Sequence, residues 1–378
     1  MNRRCALFSP IFIIFAVTMV YGIFFGACHS TQPIRLGYLG SISGRVADIG
    51  IAGRDAVQLC VVQWNANGGI RGRQVQLIIK DDQEHAETAV KAVQELIEKD
   101  VAAIVGPMSS VVAVAIVPSL NASRVVAVGG TVTTPDLSGL DDYFFRVCFT
   151  AREQANRSAR YQIDSKTMRR IAVAYDGGNL TFCENWLESF KKPFITGGGE
   201  ILAVVDFNTE DGRSFSKIAH GLLAVEPDGI LIIANPMDSA FLCQQIRKSN
   251  PSVKITLSNW AATERLIELG GKAVEGVTVP IAFDWNSPSP PYQAFRKSYI
   301  DRFSREPGFP GFYAYNAAQV VLTALNTQKR GQRLKTTILS IGEFDGLQGK
   351  ISFDAYGDVK PLNASIRIIR NQTFIVVE

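Results

Sequence analysis

The residues best suited to chemistry are hydroxyl side chains that follow two short apolar runs in the first half of the chain. Ser109 and Ser110 follow one predicted strand, and Thr131 and Thr133 follow the next. The start of a helix presents unpaired N–H groups and a partial positive charge, which suit a carboxylate. These loops therefore predict a carboxylate-binding site. Two plainer interpretations stay open: the serines only cap a helix, and the threonines only shape a turn before Pro135.

Residues that could support catalysis are scarce. The chain has three histidines, at His29, His85 and His220. It contains no Gly-x-Ser-x-Gly, His-Glu-x-x-His or Gly-x-x-x-x-Gly-Lys motif. The glycines at 197–199 lie between a predicted helix and a strand, which is the wrong order for a phosphate-binding loop. The acid pairs at 81–82 and 141–142 are typical of solvated strand ends. We therefore expect a binding protein without a cofactor or metal, and not an enzyme.

The elements that must position these residues alternate along the chain from residue 34. Short runs rich in Val and Ile alternate with stretches of helical periodicity, which predicts an α/β fold with largely parallel sheets. The first half has predicted strands at 34–39, 75–80, 101–105 and 125–128, with helices at about 50–66, 86–97 and 109–120. The second has strands near 171–175, 201–205, 229–234, 253–257 and 276–279, with helices at about 181–192, 212–224, 239–248 and 263–269. Helices near 292–303 and 313–328 and strands at 349–353, 364–370 and 372–377 complete the chain. The repetition predicts two similar lobes.

The N-terminus has the layout of a secretory signal. Arg3 and Arg4 precede an apolar run over about 11–25, which ends in Phe-Gly-Ala-Cys at Cys28. The small residues before the cysteine resemble the lipobox of bacterial lipoproteins, with Phe25 where leucine is usual. This predicts a signal peptide over 1–27, a lipid on Cys28, a tether over 28–33 and a location outside the cytoplasm, at a membrane. An uncleaved membrane anchor is the alternative.

Size and charge narrow the class of protein. Cleavage before Cys28 would leave 351 of the 378 residues and remove Arg3 and Arg4, which lowers the formal net charge from +4 to +2. A chain of that length favours two domains. A charge of +2 gives no basic footprint for nucleic acid.

The remaining cysteines do not define a disulfide framework. After Cys5 and Cys28 are set aside, four stay in the mature chain, at Cys60, Cys148, Cys183 and Cys243. They are scattered singly within or beside apolar segments, and their spacing matches no zinc site. Export permits disulfides, but the sequence indicates no pairing.

Seven short motifs, in order and at characteristic spacing, resemble the type I periplasmic binding proteins, specifically the leucine/isoleucine/valine-binding branch. They are residues 40–44 (GSISG), 67–73 (NGGIRGR), 81–83 (DDQ), 106–110 (GPMSS), 133–137 (TTPDL), 276–277 (GV) and 346–354 (GLQGKISFD). The resemblance runs from residue 34 to the end. It implies two Rossmann-like lobes joined by a three-crossing hinge, with the ligand in the cleft between them. The implied lobe 1 is 34–149 plus 283–361, the implied lobe 2 is 150–282 plus 362–378, and the crossings fall near Thr150, Ala282 and Pro361.

The resemblance also assigns roles in lobe 1. It implies that the hydroxyl and N–H of Ser110, next to Ser109, hold the ligand's α-carboxylate. It implies that Thr133 contacts both carboxylate and ammonium, and that the backbone of Thr131 and Val132 offers carbonyl oxygens to the ammonium.

Lobe 2 departs from the family pattern. Where the family places an acid for the ammonium, the alignment gives Trp260, whose ring faces a cation or an aromatic ligand equally well. The family's tyrosine falls near Leu180, and its next aromatic is replaced at Met237. Arg45 and Asp48 flank the cleft in lobe 1, as ligand contacts or as a solvated pair.

The implied function is that of a substrate-binding protein of an ABC transporter, which delivers a branched-chain or other amino acid to a membrane permease. Two alternatives stay open. One is a ligand-sensing lipoprotein that docks on a separate receptor, and the other is a binder of an aromatic or other non-amino-acid carboxylate.

Overall fold

The strands form two large sheets and one hairpin. The computed structural model describes residues 32–208, 214–359 and 364–378. The first sheet contains β1 (Ile34–Gly40), β2 (Val75–Asp81), β3 (Ala103–Val105), β4 (Ala127–Gly129) and β5 (Phe144–Arg146). The second contains β6 (Arg170–Asp176), β7 (Glu200–Phe207), β8 (Gly229–Ile233), β9 (Lys254–Leu257), β10 (Thr278–Ile281), β13 (Ser365–Arg370) and β14 (Thr373–Val376). The hairpin is β11 (Glu343–Gly346) with β12 (Gly349–Ser352).

Helices connect most of these strands. In the first half they are α1 (Ala47–Ala66), α2 (Ala86–Glu98), α3 (Ser110–Ser123) and α4 (Ala151–Asp164). Next come α5 (Leu180–Thr196), α6 (Phe215–Leu223), α7 (Pro236–Ser249) and α8 (Glu264–Gly270). The last three are α9 (Pro290–Phe303), α10 (Gly308–Thr327) and α11 (Leu334–Ile341).

The first sheet is parallel throughout, in the order β2-β1-β3-β4-β5. Its central strands β3 and β4 are buried along their whole length, as expected for strands covered on both faces. Helix α2 presents Ala89, Val93 and Leu96 to the core, the apolar face that its periodicity predicts. The predicted α/β fold with two lobes is confirmed. We call the first sheet with its packed helices lobe 1, and the second sheet with its helices lobe 2.

The second sheet is mixed, in the order β14-β13-β10-β9-β8-β6-β7. Strands β6 to β10 pair in parallel, but β13 runs antiparallel to β10 and β14 antiparallel to β13. The expectation of parallel sheets therefore needs this correction. Asn371 and Gln372, both at positive φ, join β13 to β14 in a tight turn that only antiparallel neighbours permit.

The chain passes between the lobes more than once. Strand β10 belongs to lobe 2, and helix α10, which comes later, packs on α1, β3 and β4 of lobe 1. The chain then returns to the second sheet with β13. Each lobe is thus built from separate segments, while the expected crossing near Pro361 lies outside the described residues.

Sequence periodicity missed two helices, α4 and α11, and two strands, β5 and β11. Helix α4 buries Ala151, Ala155 and Ala159 together with Ser158 and Gln162. A buried face of small and polar residues gives little hydrophobic periodicity. The buried Gln162 amide donates hydrogen bonds to the hydroxyls of Thr256 and Thr278. Strand β5 has three residues, too few for a clear alternation.

The described residues bear on only some of the predictions about the N-terminus, metal ligands and cysteines. The predicted signal peptide and Cys28 lie outside the described residues. Among the residues that are described, no helix is long and apolar enough to cross a bilayer, and no three His, Cys, Asp or Glu side chains cluster as metal ligands. All four remaining cysteines are buried and free.

Candidate functional site

A cleft of about 460 Å³ opens where strand ends of the two sheets face each other. In lobe 1, loops after β1, β2, β3 and β4 reach it, and in lobe 2 the loops after β6 and β9 do. The strand order reverses between β1 and β3 and between β6 and β8. Ligands of open α/β sheets bind at such reversals. The lining residues are Ser41, Val46, Ile49, Gly50, Glu84, Met108, Ser109, Ser110, Thr131, Thr133, Asn179, Phe182, Asn259, Trp260 and Phe309.

The start of α3 forms one wall of the cleft. Ser110 is its first residue and Ser109 its N-cap, and both are buried. The Ser109 hydroxyl makes no capping bond to the helix. Gly106, at φ +115°, lets the chain turn into this helix, since a Cβ there would lie 2.1 Å from the Leu39 carbonyl oxygen. Helix N–H groups and two hydroxyls thus face the cleft together.

The loop after β4 brings two threonines beside this helix start. The Thr131 hydroxyl donates to the Met108 carbonyl, which ties the two loops together. The buried Thr133 hydroxyl has no protein partner. Because a buried hydroxyl without a partner is costly, a ligand atom would stabilise it. The side chain of Val132 lies in the core instead, and its carbonyl accepts from the Cys148 thiol at 3.1 Å.

Lobe 2 supplies aromatic and amide groups. Trp260 lines the cleft and packs edge-on against Phe182, with ring centroids 5.3 Å apart. Asn259 lines it as well, held by a 3.1 Å bond from the Trp186 indole N–H to its Oδ1. Asn179 follows β6 and reaches the cleft with its side-chain carbonyl unsatisfied.

Three further predicted binding residues lie outside the cleft lining. Leu180 begins α5 one position after Asn179 and is 45% exposed, and Asn179 lines the cleft instead. Met237 and Asp48 line a separate open groove beside the cleft. There the Thr263 hydroxyl donates to Asp48 at 3.1 Å, and burial raises the pKa of Asp48.

Glu84 is the main cleft residue that sequence reasoning missed. It follows the acid pair 81–82, and its Oε1 accepts from the Ser109 hydroxyl at 3.4 Å and from Asn179 Nδ2 at 3.3 Å. Burial, and then the carboxylates of Asp176 and Asp82, raise its pKa to about 8. The 81–83 motif was the available signal, but the backbone turn that directs Glu84 inward was not visible.

The two lobes touch each other around the cleft. Arg45 of lobe 1 pairs with the fully buried Asp238 of lobe 2. Asn185 on α5 donates to Asp136 of lobe 1 at 3.0 Å, and Asn179 reaches across to Glu84. The lobes are therefore closed on each other.

A second cavity of about 340 Å³ extends the cleft toward the hinge. It shares Thr131, Thr133, Asn259 and Phe309 with the cleft. It is also lined by Cys148, Gln154, Ile281, Ala282, Phe283 and Tyr313. A ligand held at α3 therefore has room to extend between the lobes.

Comparison with known proteins identifies the family. A sequence profile of periplasmic binding proteins matches residues 33–369. The chain belongs to the periplasmic binding protein family. The resemblance predicted from its motifs is confirmed, and this periplasmic binding protein is a solute-binding protein and not an enzyme.

Individual relatives agree with this assignment. The Leu/Ile/Val-binding protein BraC3 of Rhizobium johnstonii is 24% identical over 340 residues, which cover 88% of this chain and 90% of BraC3. The branched-chain amino acid binding protein LivJ of Streptococcus pneumoniae, solved with isoleucine, superposes with a TM-score of 0.83 at 22% identity and covers 92% of this chain and 99% of LivJ. A Rhodopseudomonas palustris solute-binding protein, solved with benzoate, has a TM-score of 0.82 at 17% identity and covers 92% of this chain and 96% of its own. At these identities, the two structures demonstrate the shared fold.

Proposed function

We propose that this periplasmic binding protein captures an amino acid with an apolar side chain in the interlobe cleft and delivers it to an ABC permease. The observation on which this depends is the meeting of the α3 N-terminus, the Ser109 and Ser110 hydroxyls and the unsatisfied Thr133 hydroxyl in one cleft. Such donors hold a carboxylate without an arginine or lysine. Ser110 and Thr133 take the roles that the family resemblance gives them.

The rest of the cleft suits an apolar side chain. Val46, Ile49 and Met108 line the lobe 1 side, and the rings of Phe182 and Trp260 face them from lobe 2. Apolar walls with a few convergent polar groups are typical of small-molecule sites. Both ligand types known from the structural neighbours, isoleucine and benzoate, join a carboxylate to an apolar body.

Calorimetry against a panel of ligands tests the proposal. The panel contains L-leucine, L-phenylalanine, L-glutamate, benzoate and 4-methylpentanoate, and native mass spectrometry of the protein purified from its host identifies any retained ligand. We expect the apolar amino acids to bind most tightly. Exclusive binding of benzoate would favour the non-amino-acid alternative, and no binding of any carboxylate would contradict the proposal.

We also propose that a lipid on Cys28 anchors the protein to the membrane. A lipid on Cys28 would hold the lobes at the membrane surface, near the permease. A Cys28→Ser variant should appear in the soluble extracytoplasmic fraction, whereas the parent protein should follow the membrane fraction. Pull-down of the membrane-bound parent should recover permease subunits, while recovery of a separate receptor would favour the sensor alternative.

A further inference from the structure

One side chain gives the cleft an ionisable group that its other residues lack. Among the described residues that line it, Glu84 is the only one with an ionisable acid or base group, apart from neutral hydroxyls. The expected acid in lobe 2 is absent from this lining, since Asn259 and Trp260 occupy the loop after β9. If the ligand is a zwitterion, its ammonium must therefore find its counter-charge in lobe 1.

The backbone holds Glu84 toward the cleft at an energetic cost. Gln83 and Glu84 both adopt left-handed conformations, with φ of +55° and +56°. Such conformations cost non-glycine residues on the order of 1 kcal/mol each and often mark functional sites. The Glu84 N–H is held by Asp82 Oδ1 at 2.9 Å, which fixes the turn.

Glu84 also lies at the right place for an ammonium group. Its Oε1 accepts from Ser109, the N-cap of the helix at which the ligand carboxylate is proposed to bind. The carboxylate and ammonium of an α-amino acid are attached to one carbon atom, so their partners must be neighbours. The bonds to Ser109 and Asn179 both use Oε1, and Oε2 takes part in neither.

We infer that Glu84 is the counter-ion of the ligand's ammonium group, so that this cleft selects α-amino acids over carboxylic acids of the same shape. The inference rests on the proposed function and makes it more specific. An ionised Glu84 beside a ligand carboxylate is repulsive unless an ammonium lies with them. Selectivity for the zwitterion therefore comes from the attraction between its ammonium and ionised Glu84, whereas a ligand without an ammonium binds beside the protonated acid.

The charge state of Glu84 makes this selectivity dependent on pH. The titratable groups around it are Asp82 on its own loop, Asp176 at the end of β6 and Cys183 on α5. Cys183 stays a neutral thiol because burial raises its pKa, while the two aspartates favour a protonated Glu84. In the closed cleft without an ammonium, Glu84 is thus protonated below about pH 8. A ligand ammonium reverses this preference and keeps Glu84 ionised.

Proton exchange measured by calorimetry tests the inference. L-leucine and 4-methylpentanoate differ only in the ammonium, and both carboxylates are ionised at about pH 7. Titrations in buffers of different ionisation enthalpy give the protons exchanged on binding. Because both ligands start from the same free protein, the difference between them depends only on the two complexes.

We expect the complex with 4-methylpentanoate to retain roughly 0.5 to 0.9 proton more than the complex with leucine at about pH 7. Preference for leucine should rise up to about tenfold per pH unit between about pH 5 and 8.

Two variants complete the experiment. Glu84→Gln should weaken leucine binding at about pH 8 on the order of 30-fold or more, leave 4-methylpentanoate binding within about threefold of the parent, and abolish the pH dependence of the preference. Glu87→Gln removes an equal charge from an exposed position in the first turn of α2 and should change neither. If Glu84→Gln fails to fold, the difference in proton exchange between the two ligands, measured on the wild-type protein, still tests the inference.

The outcomes separate this inference from the proposed function. Equal proton exchange for both ligands, or leucine binding that Glu84→Gln leaves unchanged, would overturn the role of Glu84 while the solute-binding function stands. Binding of 4-methylpentanoate more tightly than leucine at every pH would also overturn it. Binding of neither ligand would count against the proposed function and this inference together.

Discussion

At the residue scale, the cleft depends on hydroxyls whose partners are incomplete. Thr133 is buried with an unsatisfied oxygen, and Ser109 bonds to Glu84 and Asn179 without capping its helix. A buried hydroxyl without a partner costs about 1–3 kcal/mol, which a bound carboxylate would recover. The interpretation of Ser109 as a helix cap alone therefore does not account for its contacts.

Removal of either proposed carboxylate donor should reduce affinity. Ser110→Ala and Thr133→Ala each remove a hydroxyl proposed to bind an ionised group, so we expect the affinity for the best amino acid of the panel to fall about 10- to 100-fold. Calorimetry gives the affinities, and thermal unfolding should shift by no more than a few degrees. Ser123→Ala, at the other end of α3, is the control, since its hydroxyl bonds only within the helix. Full affinity in both site variants would reject this site.

The rings of Trp260 and Phe182, which line the lobe 2 side of the cleft, should contribute mainly to the binding of the ligand's apolar side chain. Trp260→Leu replaces the indole with a smaller side chain and removes the edge-on contact with Phe182, so we expect about tenfold weaker binding of L-leucine. Trp64→Leu is the control, because Trp64 bonds to Gln319 in lobe 1 and lies outside the cleft lining. Equal losses in the two variants would indicate a general effect on folding.

At the element scale, the loops around the cleft form contacts that exist only when the lobes are closed. Arg45 follows β1 and Asp238 lies in the first turn of α7, and these two elements belong to different sheets. Thr263 and Asp48 form a second such contact. These pairs stabilise closure directly and ligand binding indirectly.

Arg45→Ala should therefore weaken binding without touching the ligand. Loss of the pair leaves the buried Asp238 carboxylate without its cation in the closed state, so we expect about tenfold lower affinity and a more open average shape in small-angle scattering. Arg54→Ala serves as the control, since Arg54 pairs with Asp55 within lobe 1. Parent affinity and parent scattering in Arg45→Ala would show that this pair does not govern closure.

The sequence indicated the lobe 1 side of the cleft more accurately than the lobe 2 side. Ser109, Ser110, Thr131 and Thr133 follow short buried strands, and the ends of such strands fix where loop residues meet. Asn179 lines the cleft where Leu180 was expected to, because side chains one position apart at a helix start point in different directions. Left-handed turns such as the one at Glu84 and alanine-rich faces such as that of α4 leave no periodic signal.

At the scale of the whole molecule, two lobes of discontinuous segments meet around one cleft. The cleft is lined by both lobes, so binding should couple to their relative motion, as is general for hinge closure in periplasmic binding proteins. We propose that the permease recognises this closed arrangement of the lobes in preference to the open one.

Ligand binding should accordingly stabilise the whole fold. At a ligand concentration about 100 times the Kd, the free energy of unfolding should rise by about 2.7 kcal/mol. Chemical denaturation with and without the best amino acid of the panel measures this rise. Thr133→Ala at the same ligand concentration should show a smaller increase, whereas an equal increase would place the binding site elsewhere.

The most direct test is a crystal structure of the protein with L-leucine. The account predicts leucine between the lobes, with its carboxylate on the Ser110 N–H and the Thr133 hydroxyl and its ammonium at Glu84. Leucine in the groove lined by Asp48 and Met237, or with its carboxylate directed away from α3, would contradict the account.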